Sequence, residues 1–569
     1  MFIWRILTKI PSHLFTNQWL QAQQKSILSA ATVITVANLL VSLSGLLRDR
    51  MLLAKFADNL SSLQAYDAFR VAFQIPDLLF QLFIVGALSA SFVPIFTIMK
   101  NKSEKNAFAL VNIAMNYLIL FFGLAAIIIA IFAPAITHWR IGSAYSSEQV
   151  DMVINLTRIM MIAQLFFAIS SFFSGMLQSY QRFIIPALVP LLYNGGIVLG
   201  TYVFYPFLGV YAAGLGVVLG AFAHMIIQWP FVRKLNWRYQ FNWNYKFPGI
   251  QKMFCLMPAR TLTLGINEVQ NFGLSYFVTS VAGLGYTFFV LARALVIMPI
   301  RFVGVPIGQA SLPFLANLSA DDDTNRFKKI VLQSLNQIAY LACPAAVLLL
   351  ILRIPAVRLV FGTKNFPWEM TVLIGRMVAL MAISIPAQAM FHLLVRAFHA
   401  LRDTFTPFII SVFTTCLFFI GTAISVKMEH DQLLGIALTI GLVAILEAFL
   451  YIIFLNWKLK KLFTFNFVIT QLKIYFISAI MAISLYIPFK FLDQVVFDTT
   501  KVVPLLALTG ITAVVGLTVY ILLSMLFRIQ EMEILIKLFQ SFKIKPGKME
   551  PKLLLPPTEI INEVDNSDV

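Results

Sequence analysis

The sequence predicts an all-α polytopic membrane protein with about fourteen transmembrane helices. Three observations carry that prediction. Of 569 residues, 60% are hydrophobic and 12% are charged, whereas a soluble chain carries roughly 25% charged residues. Apolar runs of about 20 residues, the length that crosses a hydrocarbon core, recur along almost the whole chain. The runs are continuous, which excludes a transmembrane barrel, whose strands alternate apolar and polar positions.

The elements follow in order. Residues 1–26, beginning "MFIWRILTKIPSHLFTNQWLQAQQ", lack the 7–15-residue apolar core and small-residue cleavage site of a signal peptide. They read as a short amphipathic segment at the membrane interface. Six spans are expected near 27–47, 72–98, 107–136, 153–177, 184–205 and 208–232. Six more fall near 253–280, 286–316, 332–352, 371–395, 407–426 and 432–456. A final pair is expected at 472–489 and 502–527. Beyond Arg528 the amphipathic stretch "IQEMEILIKLFQSFKIK" leads into a polar, proline-containing tail of disordered character.

An even number of spans places both termini on one side. The loops on that side hold "KNKSEK" (100–105), Arg233 to Lys252, "RFKK" (326–329) and "KLKK" (458–461). With both tails they carry about 27 Lys and Arg, against about 10 on the other side. The positive-inside bias therefore predicts cytoplasmic termini. The same loops account for the net charge of +18, which in such a chain points to anionic lipid and not to nucleic acid. Cys255, Cys343 and Cys416 lack metal or disulfide spacing and read as small core residues.

Two stretches repeat. "SGMLQSYQRFIIPALVP" (174–190) resembles "VRAFHALRDTFTPFIIS" (395–411), each leaving a span through a polar turn and entering the next at Pro186 or Pro407, 221 residues apart. "VGALSASFVPIF" (85–96) resembles "VPIGQASLPFLA" (305–316), with Pro94 and Pro313 separated by 219. A duplication of about 220 residues follows. It divides the chain into an N-lobe (27–240) and a C-lobe (248–460) of six spans each, an added pair (470–528) and a tail (529–569). Two pseudo-symmetric lobes around a central cavity suit alternating access, and they enclose that cavity within one monomer.

Charges inside such a chain are costly, about 2.5–3.5 kcal/mol at a helix centre, so each is a candidate for function. The stretch "GLLRDRMLLAKF" (45–56) carries Arg48, Asp49 and Arg50 at the end of a span. They suit either an interfacial cap or an anion site. Asp67 and Arg70 follow just before the second span, and Asp77 lies within it. Arg260 and Glu268, eight apart, share a face of the seventh span, and Arg293 and Arg301 repeat that spacing on the eighth, suggesting an interior basic stripe. Glu268, with Asn267 and Asn271, offers hard oxygen ligands for a monovalent cation, or a carboxyl able to carry a proton. His224 and His392 read as core or interface histidines. The chain has no GxxxxGK[ST], HExxH or GxSxG pattern, so it is not expected to be an enzyme or to hydrolyse ATP. No cofactor or metal is expected, and the energy would come from a cation or proton gradient or the membrane potential.

The stretch "LSGLLRDRMLLAKF…AYDAFRVAFQIPDLLFQLFIVGALSASFVPIF" (43–96) closely resembles the N-terminal signature of the MurJ/MviN family. These are lipid II flippases of the multidrug/oligosaccharidyl-lipid/polysaccharide exporter superfamily. "LLVRAFHALRDTFTP" (393–407) and "MPIRFVGVPIGQASLPFLANLS" (298–319) look like further family motifs. The resemblance implies transport of undecaprenyl-pyrophosphate-linked disaccharide-pentapeptide from the inner to the outer leaflet, in peptidoglycan biosynthesis. Arg48 and Asp49 match the signature's Arg-Asp pair and Asp67 its aspartate, while Arg293 lies one position from the family's cavity arginine. Phe80, Val85 and Ser42 stand where the signature has Arg, Glu and Arg. Arg70, Arg260 and Arg301 are the cations available to replace them. On this reading Arg48 binds the pyrophosphate, Asp49 orients it, Arg50 caps the helix, and the last two spans line a groove for the isoprenoid. The partners implied are lipid II, membrane lipids and the wall-synthesis machinery. The alternatives are an exporter of polysaccharide-linked lipids or drugs, and a scaffold for cell-wall enzymes that transports nothing.

Overall fold

The computed structural model describes residues 27–320, 323–496 and 501–532, and the interfacial segment 1–26 and most of the tail lie outside them. The described residues contain helices and connecting turns without strands. All fourteen expected spans fall on helical segments. Ten helices are long and apolar enough to cross a membrane, and a bent pair makes an eleventh among the described residues. The chain is thus a multi-pass, all-α membrane protein. The other three expected spans lie on α1 (Ile27–Phe56), on α2 (Leu60–Ala72), α3 (Gln74–Leu79) and α4 (Ser89–Lys102), and on the helix Ile250–Val281. These are the segments that carry Arg48, Asp49, Asp67, Arg70, Asp77, Arg260 and Glu268.

Three expectations shift. The first span was expected to end at 47, yet α1 continues to Phe56. "RDRMLLAKF" holds no Gly or Pro to stop it, and its carboxylate is neutralised by neighbouring guanidinium groups. The tenth span is two helices, Trp368–Ala382 and Ile385–Ala400, meeting at 47°. Pro386 enters the first turn of the second helix, where its missing N–H costs nothing. Cys343 is buried as expected of a core residue, but Cys255 and Cys416 are exposed.

By compactness the chain forms two units, one reaching Thr287 and including Thr363–Phe366, the other formed by Phe288–Gly362 and Pro367 onward. The first unit thus includes the helix Ile250–Val281, which packs on the wider-wound turns Phe80–Leu88 between α3 and α4. Also in this unit are α5 (Glu104–Arg140), α6 (Ser147–Ser179), α7 (Ile184–Leu208) and α8 (Tyr211–Ile226). A reciprocal capping box starts α6: Gln149 N–H donates to Ser146 Oγ (3.2 Å), and Ser146 N–H to Gln149 Oε1 (3.3 Å). α7 and α8 pack backbone to backbone, with Gly196 and Gly200 facing Gly220 and Gly216. A Cβ on Gly196 would lie 2.4 Å from Gly220 Cα, and one on Gly200 2.5 Å from Gly216 Cα. Small residues four apart on both helices let the backbones touch, as membrane helices require in the absence of a hydrophobic drive between them.

In the second unit the helix Thr324–Ile351 packs on both C-terminal helices, Phe465–Phe491 and Val502–Leu526. Tyr520 Oη donates to Tyr340 O at 2.8 Å, with the two rings 5.3 Å apart. The helix ends repeat between the units at one offset. Gln181 (φ 60°) and Arg402 (φ 56°), 221 residues apart, both take the left-handed conformation. Arg182 N–H returns to Leu177 O at 2.9 Å, and Asp403 N–H to Phe398 O at 3.0 Å. Each is the six-to-one bond of a Schellman ending.

Candidate functional site

The first unit gathers Arg48, Asp49 and Arg70 into one cluster. Arg48 Nε donates to Asp49 Oδ1 at 2.9 Å, and its Nη2 lies 2.8 Å from the same oxygen. Arg70 Nη2 lies 2.8 Å from the other oxygen, Asp49 Oδ2. Their side chains are 19%, 7% and 11% exposed for Arg48, Asp49 and Arg70, so the cluster is largely removed from solvent. Two guanidinium groups share one carboxylate, leaving one positive charge at the cluster.

Neighbouring helices hold both arginines. Arg70 Nε donates to Tyr66 Oη at 2.9 Å one turn back on α2, and the guanidinium lies 5.2 Å from the centre of that ring. Tyr66 is fully buried and stacked on Phe56 of α1. Arg48 Nη1 donates to Asn194 Oδ1 at 3.1 Å, while Asn194 Nδ2 donates to Ser44 Oγ at 2.8 Å. Asn194 sits near the middle of α7, which sets Arg48 at mid-helix depth on that element, while Arg70 lies in the last turn of α2. Arg50 is half-buried on α1, two turns short of its end.

Asp67 has different partners. Its carboxylate is fully buried and accepts from the hydroxyl of Tyr145, in the turn before α6, and from the backbone N–H of Thr287 at 2.5 Å. Thr287 lies in the first turn of the helix Gly285–Ala320, so Asp67 closes the positive end of that helix. The turn leading to it is tied as well. Gln149 Nε2 donates to Gly283 O (2.9 Å), and Gly142 N–H to Thr279 Oγ1 (2.9 Å). The arrangement is a latch satisfied by neutral donors.

Glu268 is half-buried and accepts from Asn271 Nδ2 at 3.4 Å, one turn on. It lies within electrostatic reach of Asp77. Arg260 and Asn267 share its helix, and their side chains lie outside the described residues. In the second unit, Arg293 and Arg301 are both exposed on the helix Gly285–Ala320 and feel each other's charge, as residues two turns apart on one face must.

Sequence reasoning missed Arg140, which falls between the expected third and fourth spans. This side chain is fully buried, donating from Nη1 to Gln74 Oε1 (2.9 Å) and from Nη2 to Val71 O (3.0 Å), with its guanidinium over the Phe272 ring. An arginine ending an apolar run reads as an interfacial cap, and nothing in "THWRIG" says otherwise. Asn194 was accessible to the reading, as an amide inside the apolar run "VPLLYNGGIVLG".

A family model described as "Lipid II flippase MurJ" matches residues 56–507. Asp67, Arg70, Glu268, Arg293 and Arg301 fall inside that range, and Arg48 and Asp49 just before it. The lipid II flippase MurJ of Burkholderia cenocepacia is 25% identical over 425 residues, 73% of this chain and 80% of that one. A probable lipid II flippase MurJ of Thermotoga maritima is 24% identical over 501 residues, 86% of this chain and 94% of that one. Among solved structures, a lipid II flippase MurJ in an inward closed conformation superimposes with a TM-score of 0.71 at 19% identity, covering 87% of this chain and 98% of that one. An inward-facing MATE family transporter of the MOP superfamily gives a TM-score of 0.60 at 14% identity, over 75% of this chain and 98% of that one. The likeness to the solved structures is one of fold, and the family model covers most of the 569 residues: the chain belongs to the MurJ lipid II flippase family.

Proposed function

We propose that this chain moves lipid II, the undecaprenyl-pyrophosphate-linked peptidoglycan precursor, from the inner to the outer leaflet of the bacterial cytoplasmic membrane. Its termini lie in the cytoplasm, and the cycle makes and breaks no covalent bond. The observation that carries the reading is the Arg48–Asp49–Arg70 cluster, a net positive charge largely removed from solvent. Such a charge persists in a membrane only where it is paired or meets a ligand. The planar fork of a guanidinium suits pyrophosphate oxygens, and both arginines keep N–H groups beyond those directed at Asp49, Asn194 and Tyr66. Asp49 holds the two forks apart and oriented, so that little side-chain freedom is lost when an anion arrives.

Alternating access needs an energy source. Glu268, with Asn271 beside it and Asp77 within reach, is our candidate for the carboxylate whose occupancy by a proton or monovalent cation biases the two conformations. Glu268→Gln should leave lipid II binding intact while making cysteine accessibility from the two membrane faces insensitive to collapse of the membrane potential. Unchanged accessibility with normal flipping would make Glu268 a structural residue.

The test of the main reading is depletion of the protein followed by a leaflet assay of lipid II. Wild type restores outward movement and Arg48→Ala does not. Restoration by Arg48→Ala at normal expression would remove the cluster from the transport path. Reporter fusions at Lys458–Lys461 and after Arg528 should both report the cytoplasm.

A further inference from the structure

The segment from Arg233 to Lys252 joins the sixth expected span to the seventh. It contains five Lys and Arg (233, 234, 238, 246 and 252) and no acidic residue. Residues 237–244 have no helical structure, yet they are held firmly against one face of α5. Trp237 Nε1 donates to Asn112 Oδ1 (3.0 Å), and Asn112 Nδ2 to Arg238 O (3.3 Å). One turn on, Tyr239 Oη donates to Asn116 Oδ1 (2.6 Å), and Asn116 Nδ2 to Asn242 O (2.9 Å). Tyr117 Oη closes the series on Trp243 O at 2.8 Å. Asn112 and Asn116 are both buried, so two polar side chains of a membrane helix are devoted to fixing this strap.

The strap turns its other side outward. Phe241, Trp243 and Tyr245 are exposed, as are all five cations. Trp243 meets Tyr117 edge-on at 5.0 Å and Phe241 at 5.6 Å, which fixes the aromatic surface as one piece. Its depth can be read from α5. That helix has 37 residues, about 55 Å at 1.5 Å per residue, and so overhangs a hydrocarbon core of about 30 Å. The exposed large apolar side chains on α5 begin at Leu120 and run through Phe132 to Trp139. Trp243 and Tyr117 therefore stand just outside the start of the apolar band, at headgroup level, where amphipathic rings gather.

We propose that this strap is a binding site for the headgroups of anionic phospholipids. Exposed rings at the edge of the acyl region, with Lys234, Arg238, Lys246 and Lys252 exposed in a segment that has no acidic residue, complement a phosphodiester anion flanked by its own chains. The inference does not depend on the transport reading, because its test reads lipid selectivity and not flipping.

The full chain is reconstituted in bilayers doped with brominated phosphatidylglycerol or brominated phosphatidylcholine, and the quenching lost in Trp243→Phe is taken as the signal of Trp243. We expect half-quenching at a several-fold lower mole fraction of the anionic lipid. Arg238→Gln with Lys246→Gln should reduce that preference at least about fivefold, the factor one cation near an anionic surface contributes. Lys246→Gln alone, in an exposed turn, should reduce it in the same direction and guards against misfolding of the double variant. Equal quenching by the two lipids, or quenching indifferent to Trp243, would overturn the site. So would relief of quenching by stoichiometric lipid II but not by excess unlabelled phosphatidylglycerol.

Discussion

Arg48→Ala tests the charge logic of the cluster, and Asp49 supplies its control. In the wild type two cations and one anion leave a charge of +1. Removing Arg48 leaves Asp49 paired with Arg70, a neutral cluster with no attraction for pyrophosphate. Hydrogen bonds to charged groups contribute about 1.5–3 kcal/mol each, so losing one fork should weaken lipid II binding roughly 10- to 150-fold. Arg48→Lys should recover only part of this, since an ammonium cannot hold Asp49 and Asn194 in the geometry of a planar fork. Asp49→Asn has a different cost. It leaves two poorly solvated guanidinium groups without their shared carboxylate, a loss of about 3–5 kcal/mol of stability, and the protein should melt early. The informative variant is Arg48→Ala with Asp49→Asn. It restores +1 through Arg70, now released from its carboxylate, and should bind lipid II at least about tenfold better than Arg48→Ala alone. Binding to purified protein, with the leaflet assay beside it, reads all four variants. A double variant no better than the single, both being folded, would refute the argument that net charge at the cluster sets affinity. Arg50→Ala, about 200° round the helix from Arg48, should be tolerated.

Three further outcomes are expected. Tyr145→Phe deprives the buried Asp67 carboxylate of one of its two donors and should cost about 1–3 kcal/mol, read as earlier thermal unfolding in detergent, with Tyr145→Ala no milder. Gly200→Leu forces α7 and α8 apart, because even a Cβ would lie 2.5 Å from Gly216 Cα, and should cost at least about 1–3 kcal/mol, whereas Gly195→Leu, which meets open space, should not. In the turn before the helix Phe405–Val426, burial pushes the Asp403 carboxyl up, but the bonds from Lys458 and Thr406 outweigh it and hold it at about 2. A carboxyl depressed by folding stabilises above its unfolded pKa of about 3.9, and that stability fades as pH falls through about 2. Asp403→Asn should therefore lower the melting temperature at pH 7, and the gap to wild type should narrow below about pH 4. A gap of constant size across that range would assign the effect to shape and not to charge.

How far the sequence could be read follows from which forces leave a local trace. The helices were legible because bilayer burial demands unbroken apolar runs, and α6 or α7 needs nothing else to be found. The repeat was legible because two helix ends 221 residues apart, at Gln181 and Arg402, must both adopt a left-handed turn and be followed by a proline-led span. Individual charges were legible too, since each is improbable in such a chain. Their pairing was not, because it depends on which faces of α1, α2 and α7 meet. Arg70 was only one of several cations available to stand in for Phe80, and nothing local sets it beside Arg48. Packing decides this, through Tyr66 stacked on Phe56 and Asn194 reaching Arg48 from α7. The same reasoning explains Asp67 and Arg140. Both are buried in the first unit, one satisfied by Tyr145 and Thr287, the other bound to Gln74 and Val71. An intramembrane charge is therefore two questions, whether one is there and what compensates it. Only the first has an answer in one dimension, and the second separates a cluster with charge to spare, as at Arg48, from a latch whose partners are all in place.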